Sequence, residues 1–117
     1  MATRSNTTTD IAVEYHTETI EFTDAVKAKV DARLRKLASG HRDISGASVA
    51  INIVSGANRH QEYRARVVLY HRPSNVVAIR KDATVSNAVL EAVEAVGRQV
   101  RDQRERMRER NRNRRSV

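Results

Sequence analysis

Apolar and polar residues alternate where the chain first acquires a pattern. Ile11, Val13 and Tyr15 fall on one side of an extended segment, and Ala12, Glu14 and His16 fall on the other. This period of two predicts a half-buried strand over 11–16. After Thr23 the period changes. Val26, Val30, Leu34 and Leu37 recur at helical spacing, which predicts a helix over 24–39. Thr23 is its natural N-cap, Asp24 suits its first turn and Gly40 is its stop signal. Alternation then returns three times. Val49, Ile51 and Ile53 alternate with Ser48, Ala50 and Asn52 over 47–54. Tyr63, Ala65, Val67 and Leu69 alternate with Arg64, Arg66, Val68 and Tyr70 over 62–71. Over 76–81, Val77 and Ile79 are expected on the core face, with Arg80 opposite.

The stretch SGANRHQ and the turn Arg72-Pro73-Ser74-Asn75 reverse the chain between these strands, so an antiparallel meander is expected. A second helix starts near Thr84. Its buried stripe is Val85, Val89, Ala92, Val93, Val96 and Val100, and only Met107 continues that stripe. Gly97 interrupts it at a cost of about 1 kcal/mol relative to Ala, which points to close packing or a local weakness. The pairs Asp102–Arg106 and Glu105–Arg108 are placed to prolong the helix past the core, with fraying expected from Asn111.

The element order is β-α-β-β-β-α, an α+β fold. A four-stranded sheet with two helices packed on one face satisfies both amphipathic helices. The first two strands are joined through a helix, so they can pair in parallel. The double-stranded-RNA-binding domain has a related order. The far face of the sheet is expected to show Glu14, His16, Asn52, Arg64, Arg66, Tyr70 and Arg80, with Tyr15 and Tyr63 in the core.

Charge divides the chain in a way that apolar pattern does not. Lys and Arg number 22 against 14 Asp and Glu, a net +8 over 117 residues. Nine arginines from Arg98 onward face only Asp102, Glu105 and Glu109, so +6 lies there and +2 on the rest. The expected division is a leader over 1–9, a folded body over 10–100 and a basic extension of the last helix over 101–117. Such a segment on a near-neutral body suits nucleic acid or an anionic membrane. Met107 alone is a poor apolar anchor for a membrane surface, and no apolar run is long enough to span a bilayer. The N-terminus has no signal-peptide core. The chain has no cysteine, which fits a reducing cytoplasm.

Chemistry is sparse. The four histidines (16, 41, 60 and 71) stand in separate elements without metal-ligand spacing. No Ser/His/acid arrangement, Gly-rich phosphate loop or Gly-Gly-Gln loop is present. No enzyme, metal, cofactor or small-molecule substrate is expected. With one Phe, three Tyr and no Trp, recognition by many stacked bases is disfavoured.

The strand IAVEYHTETIEFT leading into DAVKAKVDARLRKL, and the helix AVLEAVEAVGRQVRDQRER, resemble the ribosome hibernation-promoting factor family. That family includes ribosome-associated inhibitor A and was once labelled sigma-54 modulation proteins. The resemblance spans about residues 11–104 and rests on element order, spacing and length together. The chain resembles a short form, without the dimerisation domain of longer relatives. It reads Thr84-Val85-Ser86 where the family has Asp-x-Tyr, and its tail is richer in arginine. The resemblance implies binding to the small ribosomal subunit, to 16S ribosomal RNA and neighbouring proteins at the decoding region. Messenger and transfer RNA sites would be occluded and translation inhibited under stress.

Under that resemblance the residues expected on ribosomal RNA are Lys27, Lys29, Arg33 and Lys36 of the first helix and Arg98, Arg101, Arg104 and Arg108 of the second. Lys29, Arg33 and Lys36 line one flank, with Lys27 on the other and Arg35 pointing away from the core. Taken alone, the Lys29–Arg33–Lys36 stripe reads equally well as a solvated flank. Arg64, Arg66 and Arg80 read equally as RNA contacts or as charges solvating an open sheet. Arg106, Arg110, Arg112, Arg114 and Arg115 are expected along the messenger path. The competing readings are a general structured-RNA-binding module and a protein-interaction regulator of transcription.

Overall fold

Thr23 begins the first helix as its composition demands. Its hydroxyl oxygen accepts from the Val26 N–H at 3.4 Å, satisfying one of the N–H groups that a helix start leaves unpaired. Thr84 plays the same part for the last helix, accepting from the Asn87 N–H at 3.2 Å. The Thr84 N–H in turn donates to Asp82 at 3.1 Å. In the computed structural model, which describes residues 11–39, 41–55 and 61–115, the elements follow the expected order. They are β1 (Ala12–Thr17), α1 (Asp24–Ala38), β2 (Ile44–Ser55), β3 (Gln61–His71), β4 (Val76–Asp82) and α2 (Val85–Arg115). The expected leader over 1–9, the Gly40 stop and residues 56–60 of the first reversal lie outside the described residues.

The sheet order is β1-β2-β3-β4. β1 pairs with β2 in parallel, and the other two pairings are antiparallel. Register places Tyr15, Val49, Val67 and Ala78 in one row across the sheet. With Ile51, Ala65, Leu69 and Val76 they make the face that the helices cover, and all but Tyr15, which packs against it half-buried, are in the core. α2 adds Val85, Val89, Ala92, Val93, Val96 and Val100, all buried as expected. Small residues at Ala88, Ala92 and Ala95 keep its underside narrow. Gly46 sits at an irregularity in the β2–β3 register. A Cβ there would lie 3.1 Å from the Ala12 carbonyl oxygen and 3.3 Å from the Tyr70 ring, so any larger residue would press on β1 and on Tyr70.

Three expectations are corrected. In β4 it is Val76 and Ala78 that are buried, while Val77 and Ile79 stand on the open face. The run Val76–Ile79 is apolar at every position and carries no period. Pairing with β3 decides instead, because Val76 opposes Leu69 and Ala78 opposes Val67. Arg80, opposite Ala65, therefore falls on the helix side, and Lys81 takes the open-face place beside Arg64. In α1 the fully buried residues are Val30, Leu34 and Ala38, with Val26 and Leu37 only partly covered. The helix is turned about its axis so that Arg35 does not point away. Its Nη1 donates to the Ile11 carbonyl at 2.8 Å and its Nε donates to Asp31 at 2.7 Å. It thereby covers a carbonyl beside the edge strand β1. The third correction is length: α2 runs unbroken to Arg115 rather than fraying from Asn111.

Candidate nucleic-acid interface

The two helices meet where Leu37 approaches Gly97. A Cβ built on Gly97 would lie 3.8 Å from Leu37 Cδ1 and 3.8 Å from Arg101 Nη1. Arg33 is one turn before Leu37 and shares its flank, so the basic edge of α1 lies on the side that faces α2. Lys29, Arg33 and Lys36 are exposed there, as are Arg98, Arg101 and Arg108 on α2. The packing thus brings these six expected residues onto adjoining helix flanks. Lys27 is not among them. Its Nζ lies 4.8 Å from the centroid of the Tyr15 ring, a cation–π contact on the other flank. The Tyr15 hydroxyl donates to Asp31 at 2.8 Å. Burial, together with that bond to Asp31, raises the Tyr15 pKa far above its ordinary value.

Arg104 is the member of the α2 set that is paired with a residue outside the helix. Its Nη2 donates to Asp43 Oδ1 at 2.9 Å, and it is only 20% exposed. Asp43 stands just ahead of β2 and is itself held from behind. Its Oδ2 lies 3.0 Å from His71 Nε2, and its carbonyl accepts from the Arg72 N–H at 3.0 Å. The His71 ring is 1% exposed, and its Nδ1 faces the Ser74 carbonyl at 3.3 Å. Burial by itself would raise the Asp43 pKa. The Arg104 charge, a backbone hydrogen bond and His71 outweigh it and hold the carboxyl below its usual value. His41 lies nearby, and burial and the Arg104 charge lower its pKa. His41, Asp43 and His71 carried no local signal, because the residues that meet are far apart in sequence.

Beyond Val100 the arginines fall into two ridges. Helical spacing places Arg101, Arg104, Arg108 and Arg112 along one side, and Arg106 and Arg110 along the other. The second ridge borders a groove of about 210 Å³ with Pro73, Ser74, Gln103 and Met107. Neither Asp102–Arg106 nor Glu105–Arg108 is an ion pair among the described residues. Glu94–Arg98 is one, at 3.2 Å with both side chains exposed, and such pairs add little. On the open sheet face Arg64 and Arg66 are exposed, with Ile79 opposite Arg66 and 42% exposed. Arg80 is separated from them by its place on the helix side, where its Nη1 donates to the Ile79 carbonyl at 2.8 Å. Among the described residues no three potential metal ligands cluster, and no helix is long and apolar enough to cross a membrane.

Comparison with known proteins identifies the arrangement. No curated protein sequence matches the chain. Among solved structures, a ribosomal subunit interface protein from Coxiella burnetii matches with a TM-score of 0.67 at 9% identity, covering 81% of this chain and 99% of that one. The N-terminal domain of Thermus thermophilus Protein Y matches with a TM-score of 0.57 at 23% identity, covering 74% of this chain and 91% of that one. At such identities these likenesses establish the fold. The family model for Sigma 54 modulation protein / S30EA ribosomal protein matches residues 13–108. Matched over that much of its length, the chain belongs to the Sigma 54 modulation protein / S30EA ribosomal protein family, a family of ribosome-binding proteins.

Proposed function

We propose that the chain is a ribosome hibernation factor. It binds the small ribosomal subunit at the decoding region, occludes the messenger and transfer RNA sites and inhibits translation without catalysis. The observation that carries this reading is the adjoining of the basic flanks of α1 and α2 on one side of a nearly neutral body. Lys29, Arg33 and Lys36 are exposed on the flank of α1 toward α2, and Arg98, Arg101 and Arg108 are exposed along α2 from the Leu37–Gly97 contact onward; a surface of this kind grips structured RNA through its phosphates and shape. The solved structures of similar fold include a ribosomal subunit interface protein, and membership of a ribosome-binding family supports the ribosome as the partner.

In this reading residues 10–100 are the docking body and residues 101–117 are a basic extension. Arg106, Arg110, Arg112, Arg114 and Arg115 of this extension lie along the messenger path. From Arg101 to Arg115 the helix extends about 22 Å at 1.5 Å per residue, long enough to fill a stretch of single-stranded channel. Arg64 and Arg66 touch RNA across the cleft from the open sheet face. The protein works in the cytoplasm, where its partner is. Sedimentation with small subunits over rising salt, followed by chemical footprinting of 16S ribosomal RNA, tests the reading. Co-sedimentation with protection of decoding-region nucleotides is expected. A chain that stays unbound at moderate salt, or protects other nucleotides only, refutes it.

A further inference from the structure

A notch of about 330 Å³ opens between α2 and the segment leading into β2, lined by His41, Arg101, Arg104, Glu105 and Arg108. We infer that this notch is a phosphate-binding site whose fixed donor is Arg104, held in place by Asp43. The inference rests on the ribosome-binding reading only for the source of the phosphate.

The planar guanidinium fork suits phosphate oxygens, and Arg104 presents it already ordered. One N–H bond to Asp43, at 2.9 Å, uses one of five donors. Asp43 is in turn fixed by the buried His71 ring and the Arg72 N–H. A donor immobilised before binding loses little rotamer entropy on binding. This separates Arg104 from the exposed arginines of the outer arm. Arg101 and Arg108 add charge from the same ridge, and Arg101 folds back toward Gly97 and Leu37. Glu105 offsets one of the three arginines and Asp43, paired with Arg104, a second, so with His41 neutral the site carries +1. That charge matches one phosphate group better than an extended polyanion.

His41 makes the site sensitive to pH. The charged and titratable groups facing it are Arg104, Asp43 and His71, with Arg101, Glu105 and Arg108 in the same wall. Burial and Arg104 keep its ring neutral at pH 7, since its pKa is lowered from 6.5. A phosphate seated beside it favours the protonated ring. Binding therefore takes up a proton, and affinity rises as pH falls below 7.

The phosphate has two possible sources, a phosphodiester of RNA or the terminal phosphate of a nucleotide in solution. The test titrates the full chain with pyrophosphate at low salt and follows arginine Nε–Hε and histidine ring resonances by NMR. Saturable shifts at Arg101, Arg104 and His41 are expected, with Arg110 on the opposite ridge as the unmoved control and tighter binding at pH 6 than at pH 7.5. Arg104→Gln and Arg101→Gln should each weaken binding about tenfold, the loss of one charge-assisted contact. Arg101→Gln leaves the Arg104–Asp43 pair intact, so a folding defect in the other variant does not blur the result. Parallel, unsaturated drift of every arm arginine overturns the site. The same variants are then bound to small subunits. A weaker complex whose salt slope is lower by about one assigns the phosphate to RNA. Unchanged subunit affinity alongside lost pyrophosphate binding assigns it to a nucleotide. A chain that binds pyrophosphate in the notch but no subunit keeps the site and refutes the ribosome reading.

Discussion

The two halves of α2 are one helix held in two different ways. From Val85 to Val100 it is fixed by packing, with Val89, Ala92, Val96 and Val100 wholly removed from solvent. From Arg101 to Arg115 the apolar contribution is Met107, which is 48% exposed. Arginines three and four residues apart repel along each ridge, and Arg104 anchors the start of the arm to Asp43. The first half is stable because water is excluded from it. The second half presents charge that a polyanion neutralises. A continuous helix thus joins a packed scaffold to a charged arm at Val100 without a loop between them.

Removing the arm sharpens this contrast most. Truncation after Val100 should weaken small-subunit binding by about 100-fold at low salt and flatten its salt dependence by several units. It should cost no more than about 1 kcal/mol of folding stability, since the lost Asp43 pair is partly solvated. An unchanged salt slope would break the division. Val96→Ala, on the packed side, should do the reverse. It removes two buried methyl groups and costs about 2 kcal/mol in chemical denaturation, while the salt slope of subunit binding stays the same.

Acid has a smaller effect, and its sign differs between folding and phosphate binding. The Arg35 hydrogen bond, against the opposing effect of burial, holds Asp31 below 3.8. Asp43 is held below 3.8 as well. Both have depressed folded pKa values, so their stabilisation is present above about pH 4 and is lost as pH falls through the lower folded values. His41, also depressed, adds a loss as pH falls from 6.5 toward its folded value. Thermal melts should therefore fall with acid, and Asp43→Asn and His41→Gln should flatten the profile in their own windows. Pyrophosphate binding should strengthen over the His41 window. The smallest change expected is Gly97→Ala. The contacts awaiting its Cβ, at 3.8 Å, are ordinary, so the variant should gain about 0.5–1 kcal/mol from reduced unfolded-state entropy. A loss in denaturation would show that α1 and α2 need glycine at their contact.

Much of the fold was legible because it rests on local pattern. Thr23 and Thr84 announce helix starts through side-chain chemistry, and the Val85–Val100 stripe survives unchanged. The β4 face was not legible, since four consecutive apolar residues carry no alternation. The facing of α1 departs from its apolar pattern because Ala38 weighs little beside Leu and Val, yet it lies fully against the core. The candidate site divides in the same way. Its arginines are visible as charge, whereas the chain from His71 through Asp43 to Arg104 links three elements and leaves no spacing to read.

The sequence by itself determined the element order, the core-facing residues of β1, β2 and β3 and the concentration of charge beyond Val100. Periodicity and composition act over a few residues and need no tertiary contact to be read. Only the tertiary structure decided which flanks adjoin, that Arg80 leaves the open face and that Arg104 is anchored to Asp43. Each of those depends on strand register or helix rotation, which are set by packing between residues distant in the chain.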